Sequence, residues 1–231
     1  LLIARSNFYS YSETFIDEQI KQLAPSEVLY EGWLPSKTYS GKSIYPFPLT
    51  LLIVRGTLRN LFPSLFQKIY QHFLIKFSRN NGIDALLANY GPLGANIYEA
   101  CIAANIPYSI VFLGFDANEK KTLTQYQAAY QAMLPRAKSV IVVAQSMREN
   151  LEAIAGPLSN LYFIPCGVDT SKFKPFGEKS EQFTFISVAR FAEKKGPIHS
   201  LRAFEMVCKQ IPTAHLQMIG DGPMWEEAKT F

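Results

Sequence analysis

Cysteine is scarce in this chain of 231 residues: Cys101, Cys166 and Cys208 lie far apart, with no Cys-x-x-Cys pair. A scattered, odd set excludes a disulfide framework and a cysteine-ligated zinc, and it fits free thiols in a reducing compartment. Cys166 has no adjacent His or Asp to make it a nucleophile. Histidine is equally sparse: His72 falls in a basic helical stretch, His199 inside a helix and His215 on a strand, and none completes a catalytic pattern. No apolar run reaches membrane-spanning length, because Arg55 interrupts the best one. Neither GxxxxGK[ST] nor GxGxxG occurs, which removes the Walker loop and the dinucleotide fingerprint. Repeats and low-complexity tracts are absent too. With 48% hydrophobic and 18% charged residues, the chain is globular.

The sharpest absence is of acid. Between Glu31 and Asp84 there is no Asp or Glu, while Lys37, Lys42, Arg55, Arg59, Lys68, Lys76 and Arg79 fall there. These cations alternate with Leu49, Leu51, Leu58, Phe66, Tyr70, Phe73 and Phe77, as a pair of basic amphipathic helices broken near Pro63. Two readings stay open, an anionic membrane surface and an ordinary solvated helical face. Nucleic acid is the competing partner. The core-like spacing of the aromatics and the lack of any RNA- or DNA-binding motif argue against it.

What is present is an alternation of strand and helix patterns. Strands are expected at Leu1–Arg5, Glu27–Tyr30, Asp84–Ala88, Tyr108–Phe112, Ser139–Val143 and Leu161–Pro165. Between the first two, a helix to Leu23 buries Phe15, Ile16, Ile20 and Leu23. Its start fits a capping box of Ser10 with Glu13, or of Thr14 with Asp17. Cys166-Gly167-Val168-Asp169 leads into a polar linker at Glu178–Gln182, which places a domain boundary near Cys166.

Beyond the linker, Phe183–Ala189 reads as a buried parallel strand, with Arg190 at its carboxyl end. Lys194, Lys195 and Gly196 follow, and Pro197 opens a helix. A strand at His215–Ile219 then runs into the turn Gly220-Asp221-Gly222-Pro223. Ligands of open α/β sheets bind at that edge, and a helix amino terminus favours anions. Arg190 offers a planar fork to phosphate oxygens and Lys195 a point charge. A solvated basic turn is the competing reading.

The segment SVARFAEKKG, with GVD before it and MIGDGP after it, resembles the carboxy-terminal domain of the family 4 retaining glycosyltransferases of GT-B fold. SETFIDEQIKQL resembles the first helix of their colanic acid and surface-polysaccharide subgroup. The resemblance implies that Arg190 and Lys195 hold the diphosphate of a sugar nucleotide, with Gly220, Asp221 and Gly222 in the same cleft. It also sets the first loop, with Ser12, Glu13 and Thr14, beside donor and acceptor. Where the family has His-Gly-x-Asp, this chain has Leu113-Gly114-Phe115-Asp116. Asp116 keeps its place, but leucine can neither donate a hydrogen bond nor carry a proton.

The expected architecture is therefore α/β and GT-B-like: a complete Rossmann-like domain over 1–166, and a linker with the first part of a second, donor-binding domain over 167–231. The expected function is retaining transfer of a hexosyl-type sugar from a nucleotide-diphosphate donor to a surface-polysaccharide or lipid-linked acceptor. The resemblance implies that the reaction needs no metal, no cofactor is expected, and the work is electrostatic. No carboxylate pair at glycosidase spacing supports hydrolysis. The free thiols place the protein in the cytoplasm, and the basic Lys37–Arg79 region sets it on the inner face of the plasma membrane as a peripheral protein. The family's Glu-x7-Glu motif has no match after Gly222, so the expectation is a chain clipped at both ends and inactive alone. Leu113 motivates an alternative, a non-catalytic sugar-nucleotide-binding module, and the acid-free stretch motivates a membrane-surface module.

Overall fold

The structure is a computed structural model that describes residues 1–11, 13–45, 61–175, 177 and 182–231. Ser12, the first of the two basic helices (with Arg55 and Arg59) and most of the Glu178–Gln182 linker lie outside the described residues. The chain divides into two compact units, Leu1–Val168 and Asp169–Phe231.

The first unit is built on a sheet with strand order β3-β2-β1-β4-β5-β6-β7. Its strands are β1 (Leu2–Ala4), β2 (Glu27–Tyr30), β3 (Lys37–Thr38), β4 (Leu86–Asn89), β5 (Tyr108–Phe112), β6 (Ser139–Val142) and β7 (Leu161–Phe163). All neighbours pair in parallel except β2 with the short edge strand β3, which runs antiparallel. Parallel strands need crossover helices on both faces, so their side chains are apolar in both directions. Leu2, Ala4, Leu86, Ala88, Ile110, Phe112, Val140 and Val142 pack into the larger core on one face. Ile3, Val28, Leu87 and Val111 pack on the other, with Ile20 against them.

The helices are α1 (Thr14–Leu23), α2 (Pro63–Asn80), α3 (Gly91–Ala104), α4 (Phe115–Asn118), α5 (Lys120–Met133) and α6 (Gln145–Ala155). Two expectations fail at α1. Leu23 is exposed, and neither capping box forms: Glu13 occupies the N-cap with no side-chain capping bond. Glu13 and Asp17 instead face the guanidinium of Arg5, a stronger partner for a carboxylate than a backbone amide. The core-like spacing of the aromatics in α2 is realised: Phe66, Tyr70 and Phe77 are buried in the core, while Lys68, His72, Lys76 and Arg79 stay exposed. The helix thus spends its apolar face on its own sheet, as a crossover helix must.

In the second unit β8 (Thr184–Val188) pairs in parallel with β9 (His215–Ile219), from Thr184 opposite His215 to Val188 opposite Ile219. The crossover is α7 (Pro197–Gln210), and α8 (Trp225–Thr230) follows β9. β8 is not the buried strand that its composition suggests. Phe185, Ile186 and Val188 are exposed, because β8 and β9 pair only with each other among the described residues.

Candidate functional site

Each unit carries a cluster of functional side chains at the carboxyl edge of its strands. In the second unit the backbone just past β8 is tied to the turn after β9. Ala189 N donates to Ile219 O at 3.0 Å, Phe191 N to Asp221 O at 2.9 Å and Met224 N to Phe191 O at 2.9 Å. Gly220 and Gly222 sit at φ +149° and +153°, and a Cβ on either would collide with the carbonyl oxygen of Ala189 or of Phe191. Glycine is needed there for conformation and for close approach alike. Asp221 spends its carboxylate on the amide of Gly222 at 2.7 Å, so it shapes the turn.

This scaffold fixes Arg190. A single 3-10 turn, Glu193–Lys195, then brings the chain back, and Gly196, at φ +61°, opens α7. Arg190 and Lys195 line one shallow recess with Ser187 and Ser200, beside the first turn of α7. Both cations are exposed, and neither makes an ion pair among the described residues. Two unneutralised cations, two hydroxyls and a helix amino terminus form an arrangement suited to phosphate oxygens.

In the first unit the chain passes from β1 to β2 on one side and later to β4 on the other. The topological switch point therefore lies between β1 and β4. Arg5 follows β1 there, with none of its side chain exposed. Its Nη1 donates to Tyr39 Oη at 2.9 Å and meets the Asp17 carboxylate, and Nη2 lies 3.6 Å from Glu13 Oε2. Burial alone would lower the Arg5 pKa; the hydrogen bond and charge of Asp17, with Tyr39, turn the balance upward and keep the guanidinium charged. Tyr90 Oη donates to Glu13 Oε1 at 2.9 Å, and Asn89 Nδ2 to Gln19 Oε1 at 2.9 Å. Burial first, and then the charge and hydrogen bond of Glu13, raise the Tyr90 phenol, which therefore stays a donor. Among the described residues, buried Arg5 Nε and Asn89 Oδ1 have no hydrogen-bond partner, while Arg5 Nη2 and Glu13 Oε2 face only each other across their 3.6 Å ion pair.

Of the residues expected in the first loop, Glu13 belongs to this network, Thr14 is the first residue of α1, and Ser12 lies outside the described residues. Asp116 is fully buried. Its carboxylate accepts from Gly91 N at 3.0 Å, Leu113 N at 3.0 Å and Gly114 N at 2.8 Å, so it ties the β4 loop to the β5 loop. Burial pushes its carboxyl up against the pull of those amides. Leu113 packs its side chain against the smaller core. Among the described residues no group of three or more His, Cys, Asp or Glu is placed to hold a metal ion.

Sequence reasoning missed Arg5, Tyr39 and Tyr90. The available signal was a charged residue ending an apolar strand at the first switch-point position.

The family model described as Glycosyltransferase Family 4 matches residues 34–172, and the one described as Glycosyl transferases group 1 matches residues 168–231. WcaL of Escherichia coli (strain K12), which carries the name of a colanic acid biosynthesis glycosyltransferase, is 26% identical over 148 residues, 62% of this chain and 36% of that protein. The poly(glycerol-phosphate) alpha-glucosyltransferase of Bacillus subtilis (strain 168) is 26% identical over 120 residues, 50% of this chain and 17% of that protein. The chain thus spans 36% or less of the length of these relatives. Among solved structures, Anabaena Alr3699/HepE in complex with UDP and glucose aligns with TM-score 0.61 at 16% identity, over 99% of this chain and 63% of that one. Sucrose-phosphate synthase from Thermosynechococcus elongatus aligns with TM-score 0.61 at 13% identity, over 95% of this chain and 61% of that one. At such identities the likeness concerns the fold, which is that of the GT-B glycosyltransferases.

Proposed function

We propose that this chain, which belongs to Glycosyltransferase Family 4, serves transfer of a sugar from a nucleoside-diphosphate donor to a surface-glycan or lipid-linked acceptor, with retention of configuration. The observation that carries the reading is the pair Arg190 and Lys195 lining one recess at the start of α7, with no acid paired to either among the described residues. Charge gathers on the departing diphosphate during glycosyl transfer. Cations fixed in advance at that position stabilise it without reorganising. Gly220, Asp221 and Gly222 hold the loop that bears Arg190, and Glu13 and Thr14 belong to the acceptor-side unit. No step of this scheme calls for a metal.

The exposed face of α2, with Lys68, Lys76 and Arg79, suits the inner surface of an anionic bilayer. Leu61, Phe62 and Leu65, exposed at and just before its start, add apolar contact. The association would be peripheral; among the described residues no helix is long and apolar enough to cross a membrane.

A second reading rests on Leu113. With no proton-handling side chain at the end of β5, these residues bind the donor without efficient turnover, as a sugar-nucleotide-binding module does. One calorimetric experiment tests the shared premise, using UDP, GDP and ADP as probes. A hydrogen bond to a charged group contributes about 1.5–3 kcal/mol, so Arg190→Ala should weaken the preferred nucleotide at least about tenfold. Equal affinity in variant and parent, or no binding of any of the three, removes the donor assignment.

A further inference from the structure

Asp116, in the single turn of α4 just past β5, is fully buried and makes no ion pair among the described residues. The ionisable groups that face it are two phenols. Tyr90 comes from the loop after β4, and Tyr130 comes from α5, its hydroxyl donating to the Asp116 carbonyl at 3.0 Å. From α6 the neutral Asn150 reaches the neighbouring Ala117 O at 2.9 Å. Below neutral pH both phenols are uncharged, so backbone amides are what balances the carboxylate.

Those amides fill it. Oδ1 accepts from Gly114 N at 2.8 Å and Leu113 N at 3.0 Å; Oδ2 accepts from Gly91 N at 3.0 Å and from Leu113 N at 3.3 Å. An ionised carboxylate has about four lone-pair sites, and here each has a donor. A proton on either oxygen must therefore displace an amide, because an O–H and an N–H cannot point at each other. The four contacts are unequal. Leu113 and Gly114 belong to the loop of Asp116 itself, whereas Gly91 belongs to the loop after β4. Oδ2 holds the longer pair, so the proton goes there and Gly91 N is the amide released.

Gly91 is set to move once released. It opens α3, buried so closely against the Tyr130 hydroxyl and the Phe112 ring that a Cβ would collide with both. Tyr90, just before it, takes φ +81°, which a non-glycine residue holds only where its surroundings insist. Trp33 touches both sides of the joint: its ring lies 6.0 Å from that of Tyr90 and 6.2 Å from that of Phe115, the neighbour of Asp116.

We propose that Asp116 is a pH-sensitive latch between the loops after β4 and β5, closed while its carboxylate is ionised and opened at Gly91 when it takes up a proton. Burial raises its carboxyl above the usual aspartate range, against the pull of the amides. The folded chain therefore takes the proton at a higher pH than the unfolded chain does. Proton uptake at this group favours the folded state, so the opening is local and is not acid unfolding. Nothing in the latch depends on what the protein binds.

The test follows Trp33 emission in Trp225→Phe, the full chain with a single tryptophan, from about pH 7.5 to about pH 4. The emission should change with one midpoint, above the value of about 4 of an exposed aspartate, and the Gly91 amide resonance in NMR should move with the same midpoint. Asp116→Asn turns an amide NH2 toward Gly91 N. In the same background it should show the acid-form emission already at neutral pH, with no transition. Glu13 and Asp17 are the neighbouring carboxylates, bonded to Tyr90 and to Arg5; Glu13→Gln and Asp17→Asn should leave the transition in place. If Asp116→Asn fails to fold, the Gly91 resonance of the parent decides. The latch is wrong if emission and resonance both stay unmoved across the range, or if the transition survives Asp116→Asn. It is equally wrong if Glu13→Gln or Asp17→Asn abolishes the transition, or if the emission change coincides with loss of circular dichroism.

Discussion

Arg5 shows how one residue can reorganise its surroundings. It ends an apolar strand, and by composition it marks only where β1 stops. In the folded chain its guanidinium is fully buried and claims Glu13, Asp17 and Tyr39, so the carboxylates placed to cap α1 turn away from the helix backbone. Charge–charge hydrogen bonding outweighs a cap because both partners are ionised. Replacing Arg5 by Met removes the counter-charge and leaves two carboxylates near Tyr90 and Tyr39. Breaking a fully buried pair costs about 3–5 kcal/mol. Asp17 is 38% exposed, so water screens part of that loss, and about 2 kcal/mol is the expected destabilisation. Urea unfolding should show a lower midpoint at unchanged slope. An unchanged midpoint would mean that the network contributes nothing to folding.

Among the elements, those with a strong local signal are legible in the sequence itself. Glu27–Tyr30, Tyr108–Phe112 and His215–Ile219 match their expected bounds, and in Tyr108–Phe112 the signal is the apolar run of a strand buried in a parallel sheet. Elements that owe their existence to partners are not legible there. β3 is two residues long and lives on hydrogen bonds to Leu29 and Tyr30; α4 is one turn held by Asp116. The site divides in the same way. Arg190 and Lys195 are near in sequence, and their motif announces them. The cluster of Arg5, Glu13, Tyr39 and Tyr90 comes from separate stretches of the chain, which only the sheet order brings together. The turn after β9 tests how far such long-range placement matters. Gly222→Ala forces a methyl into the Phe191 backbone and should push the loop that carries Arg190 away from Trp225 at the start of α8. A strained non-glycine residue costs about 1–3 kcal/mol before any clash is counted. The expected result is a shifted Trp225 fluorescence maximum together with weaker UDP binding. A normal spectrum and normal affinity would show that the turn tolerates the methyl and does not set Arg190.

At the scale of the whole molecule, the two units differ in what can titrate. All 12 tyrosines fall before residue 169, while each unit holds one tryptophan, Trp33 in the first and Trp225 in the second. Burial raises the phenols of Tyr90, Tyr108 and Tyr130, helped at Tyr90 by Glu13 and at Tyr130 by Asp116. The sign follows directly. A phenol whose folded pKa lies above its unfolded value binds its proton more tightly in the folded state. Its contribution is complete below the unfolded value and is lost as pH rises through the folded one. The unfolded value is about 10, so the first unit should begin to lose stability near there. The second unit has no phenol to lose. Single-tryptophan variants separate the two responses. In Trp225→Phe the remaining Trp33 reports the first unit, and in Trp33→Phe the remaining Trp225 reports the second. In urea titrations repeated from about pH 8 to about pH 11, the Trp33 midpoint should fall steeply above about pH 10, with the Trp225 midpoint falling less. Parallel decline of both signals would show that the units unfold as one body. A Trp33 midpoint that held constant would show that those buried phenols do not set the alkaline limit of the first unit.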